Sequence, residues 1–249
     1  MNSVGEHYNR LLGPIFKWSV SVGGDPFERA MRLLRQLDLL DAESYLDLGA
    51  GFGVHAIPLA EAGKNVTVVD TNAALMGELR AVAEARKLSI AQSTDDLLCF
   101  LDTTVERRWD VILCLGDTIT HLSSVEEVQR MLTAAAQHLN PGGRLVLGYR
   151  DSTKSDLEGL ARFIPVARDA HRSMHCLLEA LDDRRLRVTD ILTEVRADGP
   201  STRMSDYVKL RIGAAEVSAW GEQSGLQTAA TTLEQGSTHI ILRLAAKTP

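Results

Sequence analysis

The sequence has few cysteines, no long apolar run and no cluster of basic residues. Its three cysteines, Cys99, Cys114 and Cys176, are widely spaced and form no CxxC pair, which argues against a disulfide framework and a zinc site. No apolar stretch approaches the ~20 residues that a membrane-spanning helix needs. The 27 Lys and Arg against 33 Asp and Glu give a mildly acidic chain without a basic run to follow a phosphate backbone. We therefore expect neither a nucleic-acid nor a membrane partner.

The N-terminal residues also lack the apolar region of a signal peptide, because MNSVGEHYNRLLG carries charged and polar residues there. Together with the few cysteines, this predicts a cytoplasmic protein. The 249 residues, 45% of them hydrophobic, are enough to bury one substantial core. We therefore expect a single domain over residues 1–249, as a monomer or a homodimer.

Short apolar runs alternate with helical periodicity through the first half of the chain. Strands are predicted at 43–48, 65–70, 88–92, 109–115 and 143–149, with helices at 54–63, 72–87, 94–101 and 124–139 between them. Strands that alternate with helices form a parallel sheet covered on both faces. The pattern therefore predicts an α/β fold with a Rossmann-like, doubly wound and mostly parallel sheet.

The flanking segments differ from this core. Residues 4–38 predict helical segments interrupted at 13–14 and 23–26, with Asp25 as a possible N-cap before Pro26. Beyond residue 150, three strand-like runs are predicted at 174–183, 184–198 and 203–212, and then a helix at 214–224 and a hairpin at 226–233 and 238–245. The predicted parts are an N-terminal helical cover (1–40), a Rossmann-like core (41–150 and 213–249) and a small antiparallel insertion on the substrate side (151–212).

Three glycines follow the first predicted strand, at the edge where parallel sheets bind ligands. Gly49, Gly51 and Gly53 can let the backbone approach a ligand, or can simply adopt left-handed conformations. Asp70 closes the second strand, seventeen residues after Gly53, where a carboxylate accepts hydrogen bonds from both hydroxyls of an adenosine ribose. Its other possible role, the cap of helix 72–87, can fall to Asn72 instead.

The residues around this turn separate two cofactor classes. A dinucleotide site needs a small residue just beyond Gly53, but Val54 and His55 stand there. Asp47, in the strand before the first glycine, would repel a pyrophosphate but suits the ammonium and sulfonium of S-adenosylmethionine. The residues thus favour S-adenosylmethionine, and no metal is expected.

The segment DLGAGFG followed by VVD resembles the first two motifs of class I S-adenosylmethionine-dependent methyltransferases. The resemblance implies S-adenosylmethionine as cofactor and S-adenosylhomocysteine as product. Asp47 would then lie near the methionine end, Gly49 and Gly51 would contact the cofactor through their backbone, and Asp70 would hold the ribose. The remaining expected cofactor contacts in the core are Ala50, Thr71, and Ser93 or Thr94 at the adenine, whereas Asp95 and Asp96 would cap the next helix.

The end of the fourth strand indicates the acceptor. CLGDTITHL (114–122) lacks the proline and aromatic residues with which nucleic-acid amino-methyltransferases grip a base, and it resembles the CLGNSxAHL stretch of glycine and sarcosine N-methyltransferases. That resemblance implies a backbone contact of Leu115 with the methionine part. It also implies that Asp117 and His121 face the substrate and that Arg150 binds its anionic group.

Each of these acceptor residues also has an alternative reading. Asp117 stands where those enzymes have asparagine, and it can attract a cationic amine or take a hydroxyl proton. Arg150 can bind a carboxylate through two parallel hydrogen bonds, or form a surface ion pair with a neighbouring aspartate. His121 can be a catalytic base or a histidine satisfied at a helix start.

Four residues outside the predicted core complete the expected site. Tyr8 and Trp18 can cover the sulfonium by cation–π contact, or pack in a core. Arg203, Tyr207 and Arg211 alternate along one strand, and we expect the first two to bind substrate and Arg211 to be an exposed sheet residue.

The sequence therefore predicts an enzyme that transfers a methyl group from S-adenosylmethionine to the N or O atom of a small molecule, one that carries a carboxylate or other anionic group. Two alternatives stay open: a non-catalytic protein that binds S-adenosylmethionine or S-adenosylhomocysteine, and an NAD-dependent oxidoreductase.

Overall fold

The computed structural model describes residues 2–104, 106–154, 157–234 and 236–245. The chain divides into two compact units, one of residues 27–152 with 212–249 and a smaller one of residues 1–26 with 153–211. Residues 155–156 and 246–249, which belong to the predicted insertion and core, lie outside the described residues. No described helix is long and apolar enough to cross a membrane.

The strands are numbered in chain order. They are β1 (Ser44–Leu48), β2 (Asn65–Val69), β3 (Ile90–Ser93), β4 (Trp109–Cys114), β5 (Leu139–Tyr149), β6 (Phe163–Arg168), β7 (Arg172–Ala180), β8 (Arg185–Arg196), β9 (Gly199–Leu210), β10 (Leu226–Glu234) and β11 (Ser237–Leu244).

The helices follow in the same order. They are α1 (Val4–His7), a π-helical turn (Tyr8–Leu12), α2 (Gly13–Ser21), α3 (Pro26–Gln36), α4 (Ala56–Glu61), α5 (Ala73–Ala85), α6 (Leu97–Thr103), α7 (Val125–Gln137) and α8 (Ala214–Gln223), with 3₁₀ turns at Thr118–His121, Ser152–Lys154 and Gly159–Arg162.

The larger unit contains a seven-stranded sheet with the order β10-β11-β5-β4-β1-β2-β3. Neighbours among β1 to β5 pair in parallel, whereas β11 pairs antiparallel with both β5 and β10. The predicted Rossmann-like sheet and its C-terminal hairpin are confirmed. Because β1, β2, β4 and β5 all run in one direction, the loops that follow them meet at one edge, which we call the carboxyl edge.

Local signals in the sequence explain where the helices of this unit begin. The side chain of Asn72 accepts a hydrogen bond from the Leu75 amide at 3.0 Å, and Asp96 accepts from the amides of Leu98 and Cys99. Asn72 therefore caps α5, and Asp70 does not have that role.

Helix α3 belongs to the larger unit, where Leu34 is fully buried in the sheet's hydrophobic core. The predicted N-terminal cover extended to residue 40, but residues 27–40 pack with the core instead. Apolar side chains at helical spacing, including Phe27 and Met31, explain this, because the helix buries that face against the sheet.

The smaller unit contains an antiparallel sheet with the order β6-β7-β8-β9. The prediction of three strands missed β6, a short edge strand that contains Pro165 and whose other side chains are mostly exposed. The predicted break at residues 13–14 is also wrong, because Gly13 keeps right-handed helical angles and the π-helical turn precedes Pro14. A widened turn accommodates a proline that lacks an N–H.

A buried polar cluster joins α1 to this smaller sheet. The Nε2 atom of His7 lies 2.9 Å from Oδ2 of Asp190, and the thiol of Cys176 donates to Oδ1 of Asp190 at 2.6 Å. The His7 ring also lies against Tyr207, with ring centroids 4.5 Å apart. The cluster connects α1 to β7, β8 and β9.

Candidate active site

The glycine turn after β1 brings two loops of the carboxyl edge into contact. Gly49, Gly51 and Gly53 all have positive φ angles, which L side chains rarely adopt. A Cβ atom on Gly49 would lie 2.6 Å from Cγ2 of Thr118, in the loop after β4. On Gly53 it would lie 2.9 Å from Cδ1 of Leu79, on α5. Gly49 therefore permits the approach of the two loops, whereas Gly53 permits helix packing.

Asp70 joins the glycine turn to the end of β2. Its Oδ2 atom accepts a hydrogen bond from the Gly51 amide at 2.8 Å, and its Oδ1 atom accepts from the Asn72 amide at 2.7 Å. Burial raises the pKa of this carboxyl group, and the two amides act in the opposite direction. Because each carboxylate oxygen has a second lone pair, Asp70 can still accept two hydroxyl groups.

Asp47 lies on the neighbouring strand, where its side chain is buried with 1% of the residue exposed. Its Oδ2 atom has no hydrogen-bond partner in the described part of the chain and lies 4.0 Å from Nδ1 of His55. Burial, and then the charge of Asp70, raise the pKa of Asp47 to about 7. Burial, and then His239, lower the pKa of His55 to about 4. An unpaired buried carboxyl group beside the turn fits a cationic ligand group.

The loop after β4 holds Asp117 in a left-handed conformation, with a φ angle of 73°. Its amide donates to the carbonyl of Gly148 at 3.0 Å, which links the loop to β5. Its carboxylate accepts from the Arg150 amide at 2.7 Å and from the Arg150 guanidinium at 3.2 Å. The structure thus brings the two predicted acceptor residues together as an ion pair, the alternative considered for Arg150. His121 ends the 3₁₀ turn of the same loop and is half-buried.

The remaining predicted contacts of the larger unit lie at or just after the ends of β1, β2, β3 and β4. Ser93 ends β3, and its carbonyl accepts from the Asp70 amide at 3.3 Å. Thr71 and Thr94 are exposed, while Ala50 and Leu115 are buried. Their predicted contacts with a cofactor stay predictions.

The four predicted residues of the smaller unit have contacts within that unit. The indole N–H of Trp18 donates to Asp169 at 2.6 Å, and the Arg172 guanidinium lies 4.4 Å from its ring. Tyr8 packs against Phe16, with ring centroids 6.0 Å apart. Their ligand contacts stay predictions.

Arg203 and Tyr207 share strand β9. Arg203 pairs with Glu194 at 3.1 Å, and Tyr207 is buried against His7. Arg211 donates to the carbonyl of Asp182 at 3.1 Å. The substrate contacts of Arg203 and Tyr207 stay predictions.

Sequence reasoning did not assign a role to two histidines of the carboxyl edge. His55 precedes α4 and faces Asp47. His239 lies near the start of β11, is only 6% exposed and pairs across the strands with Gly148. The one feature of the sequence that could have indicated His239 is its place at the start of the apolar run HIILRL, where a polar residue is unusual.

Comparison with known proteins relates this geometry to a family. Residues 46–143 match the family described as "Methyltransferase domain". The chain is 28% identical over 151 residues to a glycine/sarcosine N-methyltransferase of Halorhodospira halochloris. That match covers 59% of this chain and 56% of the relative. It is 34% identical over 114 residues to a ubiquinone biosynthesis O-methyltransferase of Rickettsia typhi. That match covers 44% of this chain and 42% of that relative. The chain thus spans about half the length of the curated relatives it matches.

Solved structures extend the likeness over most of the chain. The amino pentose methyltransferase CalS10 of Micromonospora echinaspora, solved with S-adenosylmethionine bound, superposes with a TM-score of 0.71 at 19% identity. The match covers 89% of this chain and 92% of that protein. These findings confirm the class I methyltransferase fold and the resemblance predicted from DLGAGFG and VVD.

The contact between Gly49 and Thr118 gives a first prediction. Gly49→Ala must adopt a left-handed conformation, at a cost of ~1–2 kcal/mol, and must also displace Thr118, which adds ~1–3 kcal/mol. Gly63→Ala is the matched control, because Gly63 also has a positive φ but no atom within 4 Å of the added Cβ. Urea unfolding should therefore show the larger loss of stability in Gly49→Ala. Equal losses would contradict the close approach of the loops.

The buried Asp47 gives a second prediction, on pH dependence without ligand. Its pKa in the folded protein, about 7, exceeds the ordinary 3.8, so the folded state binds the extra proton between these values. Stability from this group is therefore present at low pH and is lost as the pH rises through about 7, by ~1.4 kcal/mol for each pH unit that separates the folded and unfolded pKa values. Asp47→Asn should gain unfolding free energy relative to the wild type between pH 5 and pH 8.5.

The comparison uses differences between the two proteins at each pH, so that titration of other groups largely cancels. His55 contributes in the opposite sense, because its lowered pKa makes it a source of stability that is lost as the pH falls. A difference between variant and wild type that stays constant over the range would show that Asp47 is ionised in the folded state throughout.

Proposed function

We propose, from the premise that residues 46–143 match the methyltransferase domain family, that this protein transfers the methyl group of S-adenosylmethionine to a small molecule. One observation carries the proposal. Asp70 is fixed by the amides of Gly51 and Asn72 so that its remaining lone pairs can accept the two ribose hydroxyls. Bound S-adenosylmethionine would supply an electrophilic methyl group on a sulfonium.

The residues of the carboxyl edge fit the two ends of that cofactor. Asp70, at the end of β2, would hold the ribose. Asp47, one strand away on β1, would meet the ammonium of the methionine part, which gives its unpartnered Oδ2 atom a charged donor. A pyrophosphate in the same place would face two carboxyl groups, and this favours S-adenosylmethionine over NAD.

The acceptor would lie beyond β4, near Asp117, His121 and Arg150. Among the relatives, one is named for glycine and sarcosine, one for ubiquinone biosynthesis and one for an amino pentose, so both N and O acceptors have support. The Arg150 side chain is 66% exposed, and an anionic acceptor would reach it there. Because Asp117 already binds Arg150 twice, we assign Asp117 the role of orienting that guanidinium.

The chain's contribution to the reaction is mainly positional. Methyl transfer is an in-line displacement, so holding the acceptor at near-attack distance and excluding water supply much of the acceleration. Within the described residues, no group of three or more His, Cys, Asp or Glu side chains is arranged to hold a metal. The expectation from the sequence that no metal takes part stays a prediction.

The third prediction tests the cofactor by calorimetric titration with S-adenosylmethionine, S-adenosylhomocysteine and NAD⁺. The wild type should bind the two adenosyl ligands and not NAD⁺. Asp70→Asn should weaken the binding of both adenosyl ligands by about tenfold or more, because hydrogen bonds to a charged group contribute ~1.5–3 kcal/mol each. Asp102→Asn, which changes an exposed carboxylate on α6, is the control. Binding of NAD⁺ alone, or of no ligand, would refute the proposed cofactor.

The fourth prediction tests the acceptor with S-adenosylmethionine carrying a tritiated methyl group. Glycine, sarcosine, an amino pentose and a phenolic acid serve as candidate acceptors. Arg150→Ala should raise KM for an acidic acceptor about tenfold or more and leave cofactor affinity unchanged. Arg130→Ala is the matched control, because its guanidinium forms an exposed ion pair away from the edge loops.

Two results would count against this assignment. If Arg150→Ala and Asp117→Ala both left turnover unchanged, neither residue would contact or orient the acceptor. Cofactor binding without transfer to any of the four acceptor classes would favour the non-catalytic binding protein.

A further inference from the structure

His239 occupies a defined position in the sheet at the carboxyl edge. It pairs with Gly148 on β5, and the absence of a side chain on Gly148 makes room for its ring. A Cβ atom at position 148 would lie 3.1 Å from Cδ2 of His239 and 2.6 Å from Cδ2 of Leu115. The imidazole therefore packs next to the loop after β4, whose Asp117 amide donates to the Gly148 carbonyl.

The strand register places His239 on the same face as Asp47. Asp47 pairs with Leu113, which pairs with Val146, which pairs with Ile241. Two residues further along each of the last three strands, toward the carboxyl edge, come Leu115, Gly148 and His239. Side chains two apart on a strand share a face. The row Asp47, Leu115, Gly148 and His239 therefore lies on one face of the sheet.

The order of the strands indicates which end of this row would lie nearest the acceptor. The proposed ribose contact is on β2 and the proposed methionine contact on β1, so the cofactor would extend along the edge toward β4. The backbone of β11 lies three strands from β1, roughly 14 Å at the usual strand spacing. A group bonded to the far side of the sulfonium would therefore meet β4, β5 and β11. On β11 the buried polar side chain on that face is His239, and Ser237 follows it toward the edge.

The imidazole has unused hydrogen-bonding capacity. Its Nδ1 atom is buried and has no hydrogen-bond partner among the described residues. Burial lowers the pKa of His239, with Glu234 of β10 acting in the opposite direction, and His55 is the nearby histidine that it influences. The ring is therefore neutral near pH 7 and can accept a proton or a hydrogen bond. The ring turns its Cδ2–Nε2 edge toward position 148, where an added Cβ atom would lie 3.3 Å from Nε2. Nε2 is therefore the nitrogen on the side of the loop after β4, and it is the one that would accept a hydrogen bond from a ligand there.

We infer that His239 is an additional acceptor-binding residue of the proposed methyltransferase, whose imidazole accepts a hydrogen bond, and then the proton, from the nucleophilic amine or hydroxyl group. The inference depends on the proposed function. As the acceptor atom forms its bond to the methyl carbon, the carbon–sulfur bond breaks and its electron pair stays on sulfur. The proton of the acceptor passes to the imidazole and from there to water.

The test uses two ligands that need no knowledge of the natural acceptor. Both are S-adenosylmethionine analogues in which a tertiary amine replaces the sulfonium. One carries a methyl group on that nitrogen, and the other carries a 2-aminoethyl arm that extends where the acceptor would stand. The ratio of their Kd values measures contacts on the acceptor side alone. In the wild type, the arm should improve affinity about tenfold or more, since its ammonium donates a charged hydrogen bond.

Variants of His239 should change this ratio and nothing else. His239→Leu, which keeps bulk but removes both nitrogens, should abolish the gain and leave the Kd of the methyl analogue within about twofold. His239→Asn, which retains an acceptor oxygen, should keep part of the gain. Thr238→Ala is the control, because it removes a polar side chain from the opposite face of β11. In the wild type, the ¹⁵N resonances of the His239 ring should move with the aminoethyl analogue only.

The outcomes separate this inference from the proposed function. Failure of the methyl analogue to bind the wild type would refute the cofactor site. If it binds but the arm adds no affinity, or if His239→Leu keeps the full gain, the role of His239 is refuted while the cofactor site stands. Weaker binding of the methyl analogue itself in both folded variants would assign His239 to the cofactor instead and overturn the inference.

Discussion

The close approach of the loops after β1 and β4 is the constraint on which the candidate site depends. With any side chain at position 49, Thr118 would have to move, and Thr118 directly follows Asp117, whose amide donates to the Gly148 carbonyl. The contact is possible because the backbone at Gly49 adopts a conformation that costs other residues free energy. One residue without a side chain thus sets the spacing between the two parts of the edge to which we assign the cofactor and the acceptor.

Electrostatics add a second constraint. Asp47 lies on β1 and Asp70 directly follows the adjacent strand β2. Burial raises the pKa of both carboxyl groups, and the charge of Asp70 raises the pKa of Asp47 further. Asp70 is compensated by two backbone amides, whereas Asp47 has no hydrogen bond to its Oδ2 atom among the described residues. A buried carboxyl group without a hydrogen bond costs free energy, and a ligand that brings a positive charge would offset that cost. This charge balance supports the cationic cofactor that we propose.

Much of the fold could be predicted from the sequence, because the signals are local. Apolar runs of strand length, glycine turns and helix caps such as Asn72 and Asp96 each depend on a few neighbouring residues. Strand β6 was missed because its exposed side chains and Pro165 give no strand pattern. The continuous helix through Pro14 was missed because a proline after a glycine usually ends a helix.

The candidate site was predictable where a family motif marks it, and less so elsewhere. Asp47, Asp70 and the glycines follow from DLGAGFG and VVD. The pairing of Asp117 with Arg150 joins positions 33 residues apart, and no local pattern indicates it. His239 was missed for the same reason, because its neighbours Gly148 and Leu115 come from strands more than 90 positions earlier.

The division of the chain into two interleaved units has a consequence for biosynthesis. Residues 1–26 belong to the same unit as the sheet formed by residues 153–211, which are synthesised much later. In the larger unit, β5 has β4 and β11 as neighbours, and β11 is the last strand to be synthesised. His7 and Asp190, for example, are separated by 183 positions. Until the last third of the chain leaves the ribosome, α1 has no partner and β5 presents an unpaired edge, the kind of surface from which aggregation begins.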